Sequence, residues 1–96
     1  MSRPILHKFR LYVAGNAENS ALAVTNLKAL CRDYLPGQHQ IEIIDVFQEP
    51  KQALADGVLM TPTLIKLMPA PVQRIVGNLN VPLTVLHLLG LGVTAV

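Results

Sequence analysis

The sequence has no tryptophan, two phenylalanines, two tyrosines and a single cysteine, Cys31. One cysteine excludes an intramolecular disulfide, a CxxC redox pair and a four-cysteine zinc site. Charge is also sparse, with 15% charged residues and a net charge of +2. The basic residues Arg3, Lys8, Arg10, Lys28, Arg32, Lys51, Lys66 and Arg74 are scattered, whereas a nucleic-acid binder clusters them. Neither GxxxxGK[ST] nor GxGxxG occurs, so no phosphate loop is expected. His7, His39 and His87 form no i,i+4 pair and no HExxH, and no metal site is expected, because one needs three or four convergent ligands. His7 and His39 flank strand segments and read as solvated, while His87 reads as an interior or interface histidine. The carboxylates Glu18, Asp33, Glu42, Asp45, Glu49 and Asp56 include no closely spaced acid–base pair. Asp45, at the end of an apolar strand, reads as a backbone-bonded strand-end residue. The basic start, Arg3 to Lys8, has no apolar run behind it, so the expectation is a cytoplasmic chain without a leader.

What is present is apolar sequence: 51% of the 96 residues are hydrophobic, enough for one small domain spanning 1–96. No formal charge occurs from Ile75 to Val96. A membrane span needs about 20 predominantly apolar residues. The cleaner stretch from Val81 is shorter and is broken by Pro82, so no span is expected. Core or subunit contact is the alternative, and a small domain with such an end is expected to form a homo-oligomer, a tetramer or a dimer.

Lys8-Phe9-Arg10-Leu11-Tyr12-Val13 alternates with the period of a strand, Phe9, Leu11 and Val13 sharing one side and the other side wet. Ala14-Gly15-Asn16 breaks it, and Asn19 or Ser20 can cap a helix whose apolar face holds Ala23, Leu27, Leu30, Cys31 and Tyr34. Pro36-Gly37 ends that helix. Gln40 to Val46 is a second strand, and its Ile43-Ile44 pair suggests a central parallel strand buried on both faces. Together these make a right-handed βαβ unit. Pro50 opens one or two helical turns that Gly57 ends. Leu64 to Leu67 and Gln73 to Val76 read as strands, and Pro82 to Leu89 as a helix lined by Leu83, Leu86 and Leu89 or Leu88. Val85 to Val96 fits helix or strand by pattern. The order β-α-β-α-β-β-α is that of an α/β, thioredoxin-like domain.

A thioredoxin-like enzyme places a thiolate at the N-terminus of its first helix. Here that place reads Ala14-Gly15-Asn16-Ala17-Glu18-Asn19-Ser20. Cys31 lies about three turns along the helix, on the apolar face, where burial raises a thiol's pKa and blocks access. A thiol oxidoreductase using Cys31 is the alternative function, and a binding module the favoured one. Pro62, within Thr61-Pro62-Thr63, stands where thioredoxin-like domains carry a proline before the third strand. With Pro69 and Pro71 it forms a set of slow X-Pro switches in a half-chain of competing helix and strand signals.

The chain resembles the KaiB family of circadian clock proteins over nearly its whole length. The matching blocks are Leu11-Tyr12-Val13-Ala14-Gly15-Asn16, Asn19-Ser20, Ile44-Asp45-Val46 with Pro50, Thr61-Pro62-Thr63-Leu64 with Lys66, and Pro69, Pro71, Arg74 and Gly77. The resemblance implies a non-enzymatic protein without cofactor that binds a KaiC-like hexameric ATPase ring, together with KaiA or an output histidine kinase. It implies a resting tetramer whose C-terminal half has a βαββααβ arrangement, and a thioredoxin-like monomer as the binding form. Arg10, Lys66 and Arg74 are the candidate partner-binding residues, as exposed cations that steer and orient a partner. Leu22, Ala70, Gln73 and Asn78 depart from the family pattern, and the acidic tail of cyanobacterial members is missing. These departures point to a reduced Kai system whose output is stress fitness.

Overall fold

The computed structural model describes residues 5–91. The Arg3-Pro4 start and residues 92–96 of the uncharged end, including part of the helix-or-strand segment, lie outside the described residues. The elements run β1 (His7–Val13), α1 (Glu18–Tyr34), β2 (His39–Asp45), α2 (Pro50–Ala55), β3 (Thr63–Met68), β4 (Gln73–Val76) and α3 (Pro82–Leu88). The thioredoxin-like order expected from the sequence is therefore the order found. The sheet order is β2-β1-β3-β4, with β1 and β2 parallel and the β1–β3 and β3–β4 pairs antiparallel.

β1, not β2, is the central strand. It is hydrogen-bonded on both sides, and Phe9, Leu11 and Val13 are buried against Leu27, Leu30 and Cys31 of α1 and Leu86 of α3. Tyr12, expected on a wet face, is fully buried on the other side with Ile44, Ala53 of α2 and Ile65. Helices thus cover both faces of the sheet. β2 is an edge strand of the described sheet; its Ile44 is buried with Tyr12, while Ile43, on the opposite face, is exposed. The Ile43-Ile44 pair signals two-sided burial only when both edges are paired.

α1 begins at Glu18, earlier than the Asn19 or Ser20 cap expected, with Ala17 as its N-cap and no side-chain cap. The Ser20 hydroxyl instead accepts a bond from the Ala14 N–H at 3.0 Å, fastening the helix to the end of β1. Glu18 in the first turn complements the positive end of the helix dipole. Ala23, Leu27, Leu30 and Cys31 form the buried face as expected, but Tyr34, the last residue of α1, is exposed. α2 carries Pro50 in its first turn, and Gly57 follows its end at φ 67°, a left-handed conformation that glycine adopts at low cost. α3 buries Val85 and Leu86, with Leu89 at its C-cap also buried, while Leu83 and Leu88 face outward. Leu86 and Leu89 thus hold the expected inner face, and Val85 takes the place expected of Leu83. Gly77 and Leu79 both have positive φ in the β4–α3 connection. Asn78 stabilises that bend: its carbonyl accepts from Asn26 of α1 at 2.7 Å, and its side chain donates to Asn19 and accepts from the Asn80 N–H.

Among the described residues no helix is long and apolar enough to cross a membrane. The solvated reading of His7 and the interior reading of His87 need correction. His7 is buried, stacked near Phe9 with ring centroids 6.5 Å apart, and its Nδ1 lies 3.2 Å from the Ile5 carbonyl. His87 is exposed on the outer side of α3. His39 is half-buried, with Nδ1 2.6 Å from the Leu35 carbonyl.

Candidate functional site

The loop after β1 is where the thioredoxin order would place a redox centre. It holds Ala14, Gly15, Asn16 and Ala17, and no thiol. Asp45, at the end of β2, fixes this loop: Oδ1 accepts from the Gly15 N–H at 3.3 Å and from the Phe47 N–H at 2.8 Å. The expectation of a backbone-bonded strand-end aspartate holds. Pro62 is buried just before β3, and the Thr61–Pro62, Met68–Pro69 and Ala70–Pro71 peptides are cis. Pro69 is half-buried and Pro71 exposed. Cys31 is fully buried in the α1 face of the core, and burial pushes its thiol up to about 11. A group so placed supplies little thiolate at neutral pH and offers no access to a substrate disulfide.

The other face of the sheet carries the charge. The strand register sets Glu42, Arg10, Ile65 and Arg74 in one row across all four strands, so their side chains share a face. Two of the three candidate cations meet there. Arg10 Nε donates to Glu42 Oε1 at 2.8 Å, and its Nη1 donates to Asp56 Oδ2 at 3.0 Å. The Tyr12 hydroxyl donates to the same carboxylate, and Arg74 donates to the Asp56 carbonyl. Asp56, the C-cap of α2, is thus the point where β1, β4 and α2 are tied together.

The ionisation of this network follows from its bonds. The hydrogen bond from Tyr12, opposed by burial and aided by Arg10, holds the Asp56 carboxyl below its usual range. Burial first, then the bond to Asp56, pushes the Tyr12 hydroxyl up to about 12. Glu42 chiefly, with Asp56, keeps Arg10 charged at all working pH. A carboxyl that releases its proton more readily when folded contributes stability above about pH 4, and that contribution is lost as pH falls through the lowered folded value. A phenol raised on folding contributes below about pH 10, and its part is lost as pH rises from there towards 12. Urea midpoints are therefore expected to fall below about pH 4 and, because burial raises the Cys31 thiol as well, above about pH 9. Asp56→Asn should flatten the acid arm, and an unchanged acid arm would count against the assignment.

Lys66 does not join the row. It lies on β3 pairing with Phe9 and Gln73, and it is 4% exposed. Among the described residues its Nζ donates to the Leu89 carbonyl, at 3.4 Å, at the C-cap of α3. The expectation of an exposed cation is corrected: the strand alternation turns Lys66 towards α3, and its ammonium neighbours the negative end of a short helix dipole. Among the described residues no carboxylate pairs with this ammonium, and replacing a buried charge by an apolar side chain that keeps the stem's volume favours the folded state. Lys66→Met is expected to raise stability by about 1–2 kcal/mol in urea unfolding. A lowered midpoint would show that the ammonium is well satisfied.

Sequence reasoning missed Asp56 and Tyr12 as members of the network. The signal was modest: Tyr12 occupies a polar-phase position of β1 beside Arg10, and Asp56 precedes the helix-ending Gly57.

Comparison with known proteins bears on this arrangement. The KaiB domain family matches residues 10–91. The circadian clock protein KaiB3 of Synechocystis sp. is 41% identical over 80 residues, covering 83% of this chain and 76% of that protein. The circadian clock oscillator protein KaiB of Prochlorococcus marinus subsp. pastoris is 44% identical over 71 residues, covering 74% of this chain and 66% of that protein. The chain thus spans about two thirds to three quarters of these relatives. Among solved structures, the N-terminal domain of Synechococcus elongatus SasA aligns with a TM-score of 0.72 and 16% identity, covering 100% of this chain and 94% of that one. Mitochondrial thioredoxin 3 of Saccharomyces cerevisiae aligns with a TM-score of 0.69 and 19% identity, over 91% of this chain and 77% of that one. The structural likenesses establish the thioredoxin-like fold, and the family match over most of its length makes this chain a member of the KaiB family.

Proposed function

We propose that the chain is a non-enzymatic regulator in a Kai-type clock or stress-response system, and that it acts by docking onto the ATPase ring of a KaiC-like hexamer. The observation that carries this reading is the KaiB match over residues 10–91 on a thioredoxin-like frame whose redox position holds no thiol. Arg10 and Arg74 are the docking cations, sharing one sheet face. Lys66 is buried, so it reaches a partner only if α3 shifts. KaiA or an output histidine kinase joins the bound form, and the chain works in the cytoplasm, without nucleic acid.

In this reading the free chain rests as a homotetramer or dimer with its second half rearranged to βαββααβ. The arrangement described above is then the docking form. Pro62, Pro69 and Pro71 punctuate the half that rearranges, and the uncharged sequence from Ile75 is what the resting oligomer covers. The test is capture of the tagged chain by a KaiC-like hexamer with ATP. Retention of the hexamer is expected, and no complex after long incubation would contradict the reading. The thiol-enzyme alternative predicts insulin reduction that disappears in Cys31→Ser.

A further inference from the structure

Two guanidiniums on one face of a sheet invite a carboxylate. Arg10 and Arg74 pair with Ile65 from opposite sides, so one strand separates them, which sets their backbones roughly 10 Å apart. Guanidinium forks bind carboxylates by paired hydrogen bonds, and an acidic segment supplies carboxylates at about this spacing. Beside Arg10 the face opens into a hollow of about 400 Å³ lined by Lys8, Gln40, Glu42 and Leu67. Lys8 adds a third cation there.

The chain already fills the position between the arginines. Asp56 offers its carboxylate to Arg10 and its carbonyl to Arg74. It sits on the weakest of the helices: α2 is six residues long, and Ala53 is its only buried residue. Gly57, at φ 67°, follows immediately. An element with so little buried surface opens at low free-energy cost.

We propose that Asp56 acts as an internal occupant of a carboxylate-binding site formed by Arg10 and Arg74, and that an acidic segment of a partner protein docks by displacing it. The proposal rests on the docking reading above only for which protein carries that segment. Asp56 and Glu42 then set the affinity: they keep the arginines from exposed acidic surfaces in general and yield to a segment that presents several carboxylates together.

The test uses a ten-residue polyglutamate peptide at low salt, followed by amide and arginine side-chain NMR of the full chain. The expected result is that shifts centre on Arg10, Arg74 and Gly57, and that Asp56→Asn binds about three- to fivefold tighter, the range of an exposed charge pair. Glu42→Gln, which leaves Asp56 in place, moves affinity the same way by a smaller factor. It also decides the matter should Asp56→Asn fail to fold. Adding Arg10→Ala and Arg74→Ala abolishes the shifts. Peptide binding that is absent, or no tighter in either variant, overturns the proposal. Peptide binding as expected with no capture by the KaiC-like hexamer leaves this site standing and removes the ring as its partner.

Discussion

Leu11→Ala is expected to cost about 3–5 kcal/mol of folding stability, a large share of what a chain this size possesses. Leu11 is fully buried on the central strand, between β2 and β3 in the sheet and against the α1 and α3 layer. Its removal leaves a cavity that the parallel pairing on one side and the antiparallel pairing on the other prevent from closing. Ile43→Ala provides the comparison, because Ile43 is exposed on the edge strand and should cost well under 1 kcal/mol. Urea unfolding of both variants checks the assignment. If the costs were similar, β1 would not be the centre of this fold.

The second large effect concerns partner binding. The double variant Arg10→Ala, Arg74→Ala is expected to weaken capture by a KaiC-like hexamer more than tenfold, about 1.4 kcal/mol or more, mainly through slower association. A few central residues carry most of the energy in such contacts, and arginine is one of the types enriched among them. Loss of the Asp56 bonds will also loosen α2, so stability must be measured on the same sample. Tyr12→Phe serves as the control, since it removes a bond to Asp56 and leaves both guanidiniums. Capture that falls equally in Tyr12→Phe would assign the effect to α2 rather than to the cations.

Local sequence signals located most of the fold because each was a strong physical constraint. The alternation of β1, Pro36-Gly37, Pro50 and Gly57 each marked a boundary that the structure keeps. The second half was legible in order, including the bounds of β4 and the inward Leu86 and Leu89, although one position of the helix face was not: Val85, not Leu83, turns inward. That choice is made by where the bend through Gly77 and Leu79 aims α3, a tertiary outcome with no local signature. The edge position of β2 was hidden for a related reason. Strand order is decided by which neighbour arrives on each side of β1, and an isoleucine pair reads alike at an edge or a centre.

The site was legible in part. Arg10 and Arg74 were singled out, but only the strand register brings them into one row. Lys66 directly follows the Leu64–Ile65 core pair, and its charge alone suggests exposure. Its long stem lets it be buried in the core with the ammonium near a helix end. Asp56 could not be singled out from spacing, since its partners lie far away in sequence on β1 and β4.

In the proposed function this protein works by docking and uses no reactive side chain of its own. The most direct test is capture of the Cys31→Ser chain by a KaiC-like hexamer in the presence of ATP. Capture equal to that of the unaltered chain is expected. Capture by the unaltered chain that disappears when the one thiol is replaced, in a variant that still folds, would contradict it.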